Sequence, residues 1–344
     1  MKNYFVIGTN YRKSPIGFRE RIALSRRERK EVLAYFRKKT LLKSMAVLST
    51  CNRLEIHASG EDIEKDMREM KDFLRGYFEL DRRNFERYFY VYAGREAMEH
   101  LFRVVPGLDS LITGETQIAE QVRRALEESE REGFAEGEIR NYFGRALDFL
   151  KRLLEKGIRP DKEITVGTVA IDFARERLSG LSGKEIILVG TGKVTELVLE
   201  NLKKEKARVS FISSRNYEKA LLFAEEIKAG ALKFDQLPFY LGKADVVISA
   251  TASPRFIIRK ETFGETSGKK VLLLDLAMPR DIDPEVKKIR NVELWHLEEM
   301  ETVTGKIRSE RREFSERVWS LIKEEVERLW KESAESEPEP ALLP

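Results

Sequence analysis

Residues 184–195 read KEIILVGTGKVT, and this stretch decides the fold of the second half of the chain. An apolar, strand-like run ends at Val189, and a helix-like pattern begins after Gly192. Gly190 would permit the tight turn, and Gly192 would let backbone N–H groups approach a pyrophosphate at the positive end of the helix. The pattern predicts a dinucleotide site formed by Gly190, Thr191, Gly192, Lys193, Val194 and Thr195, with Thr195 in place of the usual third glycine.

The segments after this site repeat the same rhythm of apolar strand and amphipathic helix. The strand-like runs are EIILVG, ARVSFIS, ADVVISA, KKVLLLDLA and VELWHL. Such alternation predicts a parallel, Rossmann-type sheet covered on both faces. Sites that prefer NAD usually carry an acidic residue after the second strand, but here Ser213, Ser214 and Arg215 follow. Two hydroxyls and a guanidinium suit a 2′-phosphate, so we expect the cofactor NADPH.

The first half of the chain has a different organisation, typical of an α+β domain. We expect strands at 3–11, 44–50 and 53–59, and helices at 25–39, 61–76, 94–105, 115–131 and 136–156. A glycine- and proline-containing stretch, GIRPDKEITVG (157–167), separates the two patterns. The predicted fold class is therefore a multidomain α/β chain with an N-terminal α+β catalytic domain, a Rossmann-type NADPH domain and a long C-terminal helix. The predicted boundaries are 1–157, 158–297, 298–331 for the helix, and 332–344 for a disordered acidic tail.

Composition limits the classes of protein that this chain can be. It has 344 residues, 42% hydrophobic and 35% charged, which suffices for two or three domains with densely charged surfaces. No apolar run is long enough for a transmembrane helix, and the start does not resemble a signal peptide. The single cysteine excludes an internal disulfide and favours a reducing, cytoplasmic location. Residues 1–60 hold 14 Lys and Arg against 4 Asp and Glu, which suits either a solvated, salt-bridged surface or contact with phosphates.

That single cysteine, Cys51, lies in the stretch LSTCNRLEIH (48–57). In an extended segment alternate residues share a face, so Cys51, Arg53, Glu55 and His57 would lie together on a polar face, with the apolar residues between them turned to the core. A free cysteine is usually a small buried hydrophobe. A neighbouring arginine, however, favours the thiolate that attacks carbonyl carbon, so Cys51 is also a candidate nucleophile.

Several motifs together resemble the glutamyl-tRNA reductase family. They are Ser49-Thr50-Cys51-Asn52-Arg53 with Glu55, His100-Leu101-Phe102-Arg103-Val104, Gly107-Leu108-Asp109-Ser110, Gly114-Glu115-Thr116-Gln117-Ile118, Gly190 to Thr195, Ala250-Thr251-Ala252-Ser253 and Asp275 to Asp281. The resemblance covers residues 1 to roughly 330, in order. It implies reduction of glutamyl-tRNA(Glu) by NADPH to glutamate-1-semialdehyde, through a thioester on Cys51, as the entry to tetrapyrrole (porphyrin) synthesis.

The resemblance also implies roles for individual residues. Cys51 and His100 would be catalytic, with His100 positioning the ester or transferring a proton, although a lone histidine on such a helix is more often structural. Glu115 is the expected acceptor for the substrate ammonium, and Arg53 the expected partner of a carboxylate. The full expected substrate-binding set is Thr50, Asn52, Arg53, Ser110, Glu115, Thr116, Gln117 and Gln121. Neither His57 nor His296 matches a role, and no metal-ligand spacing is present, so we expect no metal.

The C-terminal region departs from the family pattern. The family continues past its connecting helix into a helical dimerisation domain, most of which is missing here. Residues 319–330 still carry an apolar stripe, so we expect a homodimer through the helix, the alternative being packing on the same molecule. Glutamate-1-semialdehyde aminomutase is a further expected partner. Two other functions stay open: a non-catalytic tRNA-binding or regulatory relative, and a small-molecule NADP oxidoreductase of the shikimate-dehydrogenase type.

Overall fold

A computed structural model describes residues 3–39, 42–115, 117–160, 165–205, 207–263, 268–304 and 312–335. The chain divides into two compact units. The first, here called the thiol unit, comprises Met1–Asp161 together with Glu310–Pro344. The second, here called the nucleotide unit, comprises Lys162–Ser309.

The thiol unit is built on a four-stranded antiparallel sheet with the strand order β2-β3-β1-β4. Its strands are β1 (Tyr4–Asn10), β2 (Ser44–Ser49), β3 (Arg53–Ser59) and β4 (Tyr90–Ala93). Its helices are α1 (Ile16–Ile22), α2 (Arg26–Lys39), α3 (Ile63–Tyr77), α4 (Arg82–Tyr88), α5 (Gly94–Val104), α6 (Gln117–Arg131) and α7 (Glu138–Glu155). The predicted strands and the five predicted helices of this half are confirmed, while the short elements α1, α4 and β4 lack a clear periodicity and were not predicted.

Helices cover both faces of this sheet. On one face α1 to α4 pack over Phe5, Ile7, Leu54 and Ile56. On the other, α5, α6 and α7 pack over residues that include Tyr4, Val6 and Leu48. As a result every residue of β1 and β3 is buried. The polar face of β3 that carries Arg53, Glu55 and His57 is therefore buried as well, because a second helical layer covers it.

The C-terminal helix α13 (Arg312–Glu335) belongs to the thiol unit. Val318, Ile322, Val326 and Leu329 are fully buried in the same core as α5 and α7. Three ion pairs also hold this helix to the rest of the unit. They are Arg95–Glu327, Arg145–Glu332 and Arg152–Glu325. Much of the predicted apolar stripe is thus buried against the core of the same chain. The homodimer through this helix stays a prediction, and its contacts would have to come from other side chains of α13. The expected tail from 336 onward lies outside the described residues.

The nucleotide unit contains a six-stranded parallel sheet of order β10-β9-β8-β5-β6-β7. Its strands are β5 (Ile186–Val189), β6 (Val209–Ser213), β7 (Gly230–Leu232), β8 (Val246–Ser249), β9 (Val271–Asp275) and β10 (Val292–His296). Its helices are α8 (Val166–Leu178), α9 (Lys193–Lys204), α10 (Tyr217–Ile227), α11 (Leu237–Leu241) and α12 (Leu297–Thr304). The order reverses between β5 and β8, as in Rossmann folds, which confirms the predicted fold class.

Candidate active site

Cys51 lies at the tip of the turn between β2 and β3. The Thr50 hydroxyl accepts hydrogen bonds from the backbone N–H groups of Asn52 and Arg53, each at 3.2 Å. The Thr50 N–H donates to the Arg53 carbonyl at 2.8 Å, and the Tyr11 N–H donates to the Asn52 carbonyl at 2.9 Å. A threonine that bonds to the backbone ahead of it is a common way to fix a tight turn. The turn presents Cys51 as an exposed, free thiol.

The surroundings of Cys51 disfavour the thiolate. The pKa of the Cys51 thiol is raised to about 11, first because crowding by protein atoms disfavours the charged form and second because of the Glu115 carboxylate; Arg19 and Arg53 act in the opposite direction. Burial also lowers the pKa of Arg19 to about 10. At neutral pH the free thiol is therefore protonated, contrary to the expectation that Arg53 alone would activate it. A change at Glu115 is the direct way to favour the thiolate.

The Arg53 side chain is buried at 2% exposure and is bound to two carboxyl-bearing residues. Its Nη1 donates to Glu55 Oε1 at 2.6 Å and lies 3.4 Å from Asp109 Oδ2. Its Nη2 donates to the Asp109 backbone carbonyl. Burial would lower the pKa of Arg53, but Glu55, Tyr90 and Asp109 raise it. Arg53 thus joins the nucleophile turn to the loop that carries Asp109.

Glu55 is the centre of a fully buried polar network. Its Oε1 accepts from Tyr90 Oη at 2.6 Å and lies 2.8 Å from His100 Nε2, while Oε2 lies 3.0 Å from His57 Nε2. Burial would raise the pKa of Glu55, but Arg53 and His100 hold it well below its usual range. An ionised carboxylate only accepts hydrogen bonds, so both histidines donate Nε2–H to it. His100 therefore has a fixed ring and tautomer, which leaves Nδ1 for other chemistry.

The sequence explains why this carboxylate fits inside the sheet. Gly8 is opposite Glu55 in β1, and a Cβ there would lie 2.7 Å from Glu55 Cγ. His57, for which no role was expected, completes the network because Tyr4 Oη lies 2.7 Å from its Nδ1. Burial lowers the pKa of His57, which keeps the ring neutral. Sequence reasoning missed Glu55 and Asp109 as site residues, although both occur inside the quoted motifs.

The loop between α5 and α6 brings the other expected residues to the site. Gly107 and Gly114 have φ values of +75° and +76°, and the Gly114 N–H donates to the Gly107 carbonyl at 2.9 Å. This folds the loop so that Asp109 reaches Arg53 and accepts from Asn10 Nδ2 at 2.9 Å. The Ser110 side chain is buried, and its carbonyl accepts from Tyr11 Oη at 3.2 Å.

The remaining expected substrate residues follow this loop. The Glu115 carboxylate lies in this loop and is one of the charges that raise the pKa of the Cys51 thiol. Gln117 is the first residue of α6, and Gln121 lies one helical turn later. Thr116 lies outside the described residues. The structure thus places Thr50, Asn52 and Arg53 on the nucleophile turn, and Ser110 and Glu115 on the loop whose Asp109 contacts Arg53. The binding roles of all the expected residues stay predictions.

In the nucleotide unit, the expected glycine turn connects β5 to α9. Gly190 has φ +117°, and a Cβ there would collide with the Ala250 carbonyl, so only glycine fits. A Cβ at Gly192 would meet no atom within 4 Å, which leaves open space at the first turn of α9. Thr195 is buried directly below, and its Oγ1 has no hydrogen-bond partner within the described ranges. Lys193 is exposed and Val194 half-buried.

The residues expected to select the cofactor lie beside this turn. The Ser213 carbonyl accepts from the Gly190 N–H at 2.8 Å, and the Ser213 hydroxyl is buried with no partner among the residues described. Ser214 Oγ lies 3.3 Å from Thr191 Oγ1, and Arg215 is exposed. An open glycine turn, a helix N-terminus and orphaned hydroxyls fit a dinucleotide phosphate. Ser214 and Arg215 are the better placed of the three for a 2′-phosphate.

Asp281 organises a second loop at the same edge of this sheet, which the sequence did not predict. Asp281 accepts from Ser249 Oγ at 2.7 Å and from the Thr251 N–H and Oγ1 at 2.8 and 2.5 Å. Burial raises the pKa of Asp281, and these hydrogen bonds lower it. The ATAS motif (250–253) is thereby held against the Gly190 turn.

These two sites define a class: an oxidoreductase that joins a Rossmann-type, dehydrogenase-like nucleotide domain to an α+β domain with an exposed cysteine. Residues 7–156 match the family profile described as "Glutamyl-tRNAGlu reductase, N-terminal domain", and residues 172–303 match "Shikimate / quinate 5-dehydrogenase". The chain belongs to the glutamyl-tRNA reductase family. The shikimate-dehydrogenase alternative accounts for the nucleotide unit alone.

Sequence relatives and one solved structure support the assignment to the glutamyl-tRNA reductase family. The glutamyl-tRNA reductase of Heliobacterium mobile is 34% identical over 327 residues, which is 94% of this chain and 74% of that protein. That of Thermodesulfovibrio yellowstonii is 31% identical over 346 residues, 97% of this chain and 81% of that protein. The structure of glutamyl-tRNA reductase from Methanopyrus kandleri matches with a TM-score of 0.53 and 27% identity, covering 97% and 81% of the two chains. None of the helices in the described part of the chain has the length and apolarity to cross a membrane.

Proposed function

We propose that this chain reduces glutamyl-tRNA(Glu) to glutamate-1-semialdehyde with NADPH, through a thioester on Cys51. The observation that carries the proposal is the position of Cys51, the one cysteine of the chain, exposed on a hydrogen-bonded turn beside Glu115 and Arg53. The product would enter tetrapyrrole synthesis, and an aminomutase as the next partner stays a prediction.

The thiol step uses the residues described above. The Cys51 sulfur attacks the ester carbonyl, a C–S bond forms, and the bond from that carbon to the ribose oxygen of tRNA breaks. The thiol proton ends on the departing ribose oxygen. We assign its transfer, or the positioning of the ester, to His100, whose ring Glu55 orients. A carboxylate that fixes the ring of a catalytic histidine is a recurrent arrangement in nucleophilic sites.

Glu115 would bind the substrate ammonium, and this has a consequence for the nucleophile. The Glu115 carboxylate raises the pKa of the Cys51 thiol. A bound ammonium offsets that negative charge, so the thiolate becomes more accessible when the glutamyl group is present. Arg53 is already bound to Glu55 and Asp109, so it would hold the turn in place more than it would bind a carboxylate.

The nucleotide unit would hold NADPH through the backbone of residues 190–195, with Ser214 and Arg215 on the 2′-phosphate. Bound NADPH supplies the hydride that reduces the thioester to the aldehyde. Gly192 leaves space for a pyrophosphate, and α9 presents its N-terminal backbone N–H groups there.

The test is a single-turnover reaction of purified protein with glutamyl-tRNA(Glu). We expect wild type to form semialdehyde with NADPH and Cys51→Ser to form none while binding both ligands normally. Semialdehyde formation by Cys51→Ser would contradict the thioester step. Equal rates with NADH and NADPH would contradict the assignment of Ser214 and Arg215.

A further inference from the structure

A groove of about 470 Å³ opens in the thiol unit between α2 and α6, beside the edge strand β2. It is here called the α2–α6 groove. Ser49, the last residue of β2, and Gln121 lie in its wall. Its charged lining residues are Arg26, Arg29, Arg124, Arg131, Glu127 and Glu128. Four guanidinium groups against two carboxylates give the lining an excess of positive charge.

The arginines of this groove differ in how firmly they are held. Arg29, 21% exposed, makes two hydrogen bonds to the nearly buried Glu128, at 2.6 and 3.1 Å. This pair neutralises Glu128 within the fold. Arg26 lies 3.4 Å from the same carboxylate but is 68% exposed. Its guanidinium is therefore available to a second anion.

On the opposite wall, Arg124 and Arg131 are 72% and 60% exposed. They pair with Glu120 and Glu127 on their own helix, at 2.9 and 3.2 Å. Exposed pairs of this kind contribute little to stability, so their arginines can exchange a carboxylate for a phosphate at small cost. Guanidinium groups bind phosphate oxygens in a two-pronged geometry, which makes arginine well suited to this ligand.

The groove lies close to the nucleophile, and this position indicates which phosphates of a bound RNA the groove would contact. Ser49 is two residues from Cys51, so their Cα atoms are at most about 8 Å apart. An ester held at Cys51 is attached to the terminal ribose of tRNA, and the phosphates of the last nucleotides must leave that point along the protein surface. The groove begins beside that point, and the surrounding residues 1–60 carry a local charge of +10.

We propose that the α2–α6 groove binds the phosphates of the single-stranded 3′ end of the tRNA, with Arg26 and Arg124 as the main contacts. This inference rests on the proposed function and adds the location of the RNA backbone to it. Binding of this kind is electrostatic, so it weakens with salt in proportion to the number of phosphates contacted.

The experiment compares two double variants that change net charge equally. Arg26→Glu/Arg124→Glu alters the groove. Arg27→Glu/Arg82→Glu is the matched control, because both residues are at least 80% exposed and neither lines the groove. Affinity for unacylated tRNA(Glu) is measured at several salt concentrations. We expect the groove variant to bind at least tenfold more weakly, with a smaller salt dependence, and the control to change less than threefold. Equal losses in the two variants would overturn the proposal.

A second RNA distinguishes the 3′ end from other parts of the tRNA. Transcripts that lack the last four nucleotides should bind wild type and the groove variant alike. If the shortened RNA still discriminates between them, the groove contacts another region and the assignment to the 3′ end is wrong. Because these are binding measurements on unacylated RNA, a protein that binds through the groove but makes no semialdehyde would contradict the proposed function alone.

Discussion

At the scale of single residues, Cys51 and Glu115 form the most informative pair. Sequence alone indicated a cysteine activated by Arg53, whereas crowding by protein atoms and the Glu115 carboxylate raise the pKa of this exposed thiol to about 11. The pattern of residue types could not show this, because the effect depends on how closely a loop sixty residues away approaches the turn. A nucleophile that stays protonated until its substrate arrives is protected from unwanted oxidation and alkylation.

Replacing Glu115 by Gln tests this interaction. We expect iodoacetamide to alkylate Cys51 faster in Glu115→Gln than in wild type at pH 8, by on the order of threefold, because the thiolate fraction rises. The readout is unambiguous, since the chain has one cysteine. Glu61→Gln, at an exposed carboxylate, is the control. An unchanged rate in Glu115→Gln would show that the carboxylate does not act on the thiol.

His57 provides a second prediction at this scale, in the pH dependence of stability. Burial lowers the pKa of His57 in the folded chain, whereas in the unfolded chain it lies near its ordinary value of about 6.5. The unfolded state therefore binds more protons below that pH, and the free energy of unfolding falls as the pH drops. The slope due to one such group is at most about 1.4 kcal/mol per pH unit.

In His57→Gln, which can still bond to Tyr4 and Glu55, this contribution to the slope should disappear. The measurement is urea unfolding between pH 7 and 5, followed by tryptophan fluorescence in a Trp295→Phe background, so that the signal comes from Trp319 and Trp330 in the thiol unit. Identical pH slopes for wild type and variant would mean that His57 does not titrate with a lowered pKa.

At the scale of elements, the sequence predicted most of the strands and helices that have a clear hydrophobic periodicity. The strands around Cys51 and the glycine turn after β5 are confirmed, and α2 begins at a capping box formed by Ser25 and Glu28. The burial of both faces of β3 could not be predicted, because local alternation of residue types does not report what a distant helix covers. Short elements such as β7 escaped prediction because three residues carry no period.

The helix α13 supports a prediction about packing. Ile322 is fully buried against the same core as α5, so Ile322→Ala should destabilise the thiol unit by about 2–4 kcal/mol through lost burial and the cavity left behind. Glu324→Ala, at an exposed position of the same helix, should change stability by less than about 0.5 kcal/mol. Urea unfolding followed by tryptophan fluorescence, in the same Trp295→Phe background, measures both. A neutral Ile322→Ala would indicate that the helix is not part of this core in solution.

At the scale of the whole molecule, two units of different chemistry lie in one chain. The thiol unit alone carries an exposed cysteine, a buried network that fixes His100, and a polar loop. The nucleotide unit alone carries the open turn at Gly192 and the reversal of strand order. In the proposed reaction, acyl transfer would use the first unit and hydride transfer the second, so neither unit alone would suffice. Each unit has its own pattern of elements, and this change of pattern is what led to the predicted boundary at residue 157.

The central claim is that Cys51 takes the glutamyl group from tRNA before any reduction occurs. The most direct measurement is the intact mass of the protein after rapid mixing with glutamyl-tRNA(Glu) in the absence of NADPH. We predict a wild-type species heavier by one glutamyl group, lost on treatment with hydroxylamine and absent in Cys51→Ser. Wild-type protein that forms semialdehyde with NADPH, yet never shows the adduct while Cys51→Ser remains active, would contradict the account.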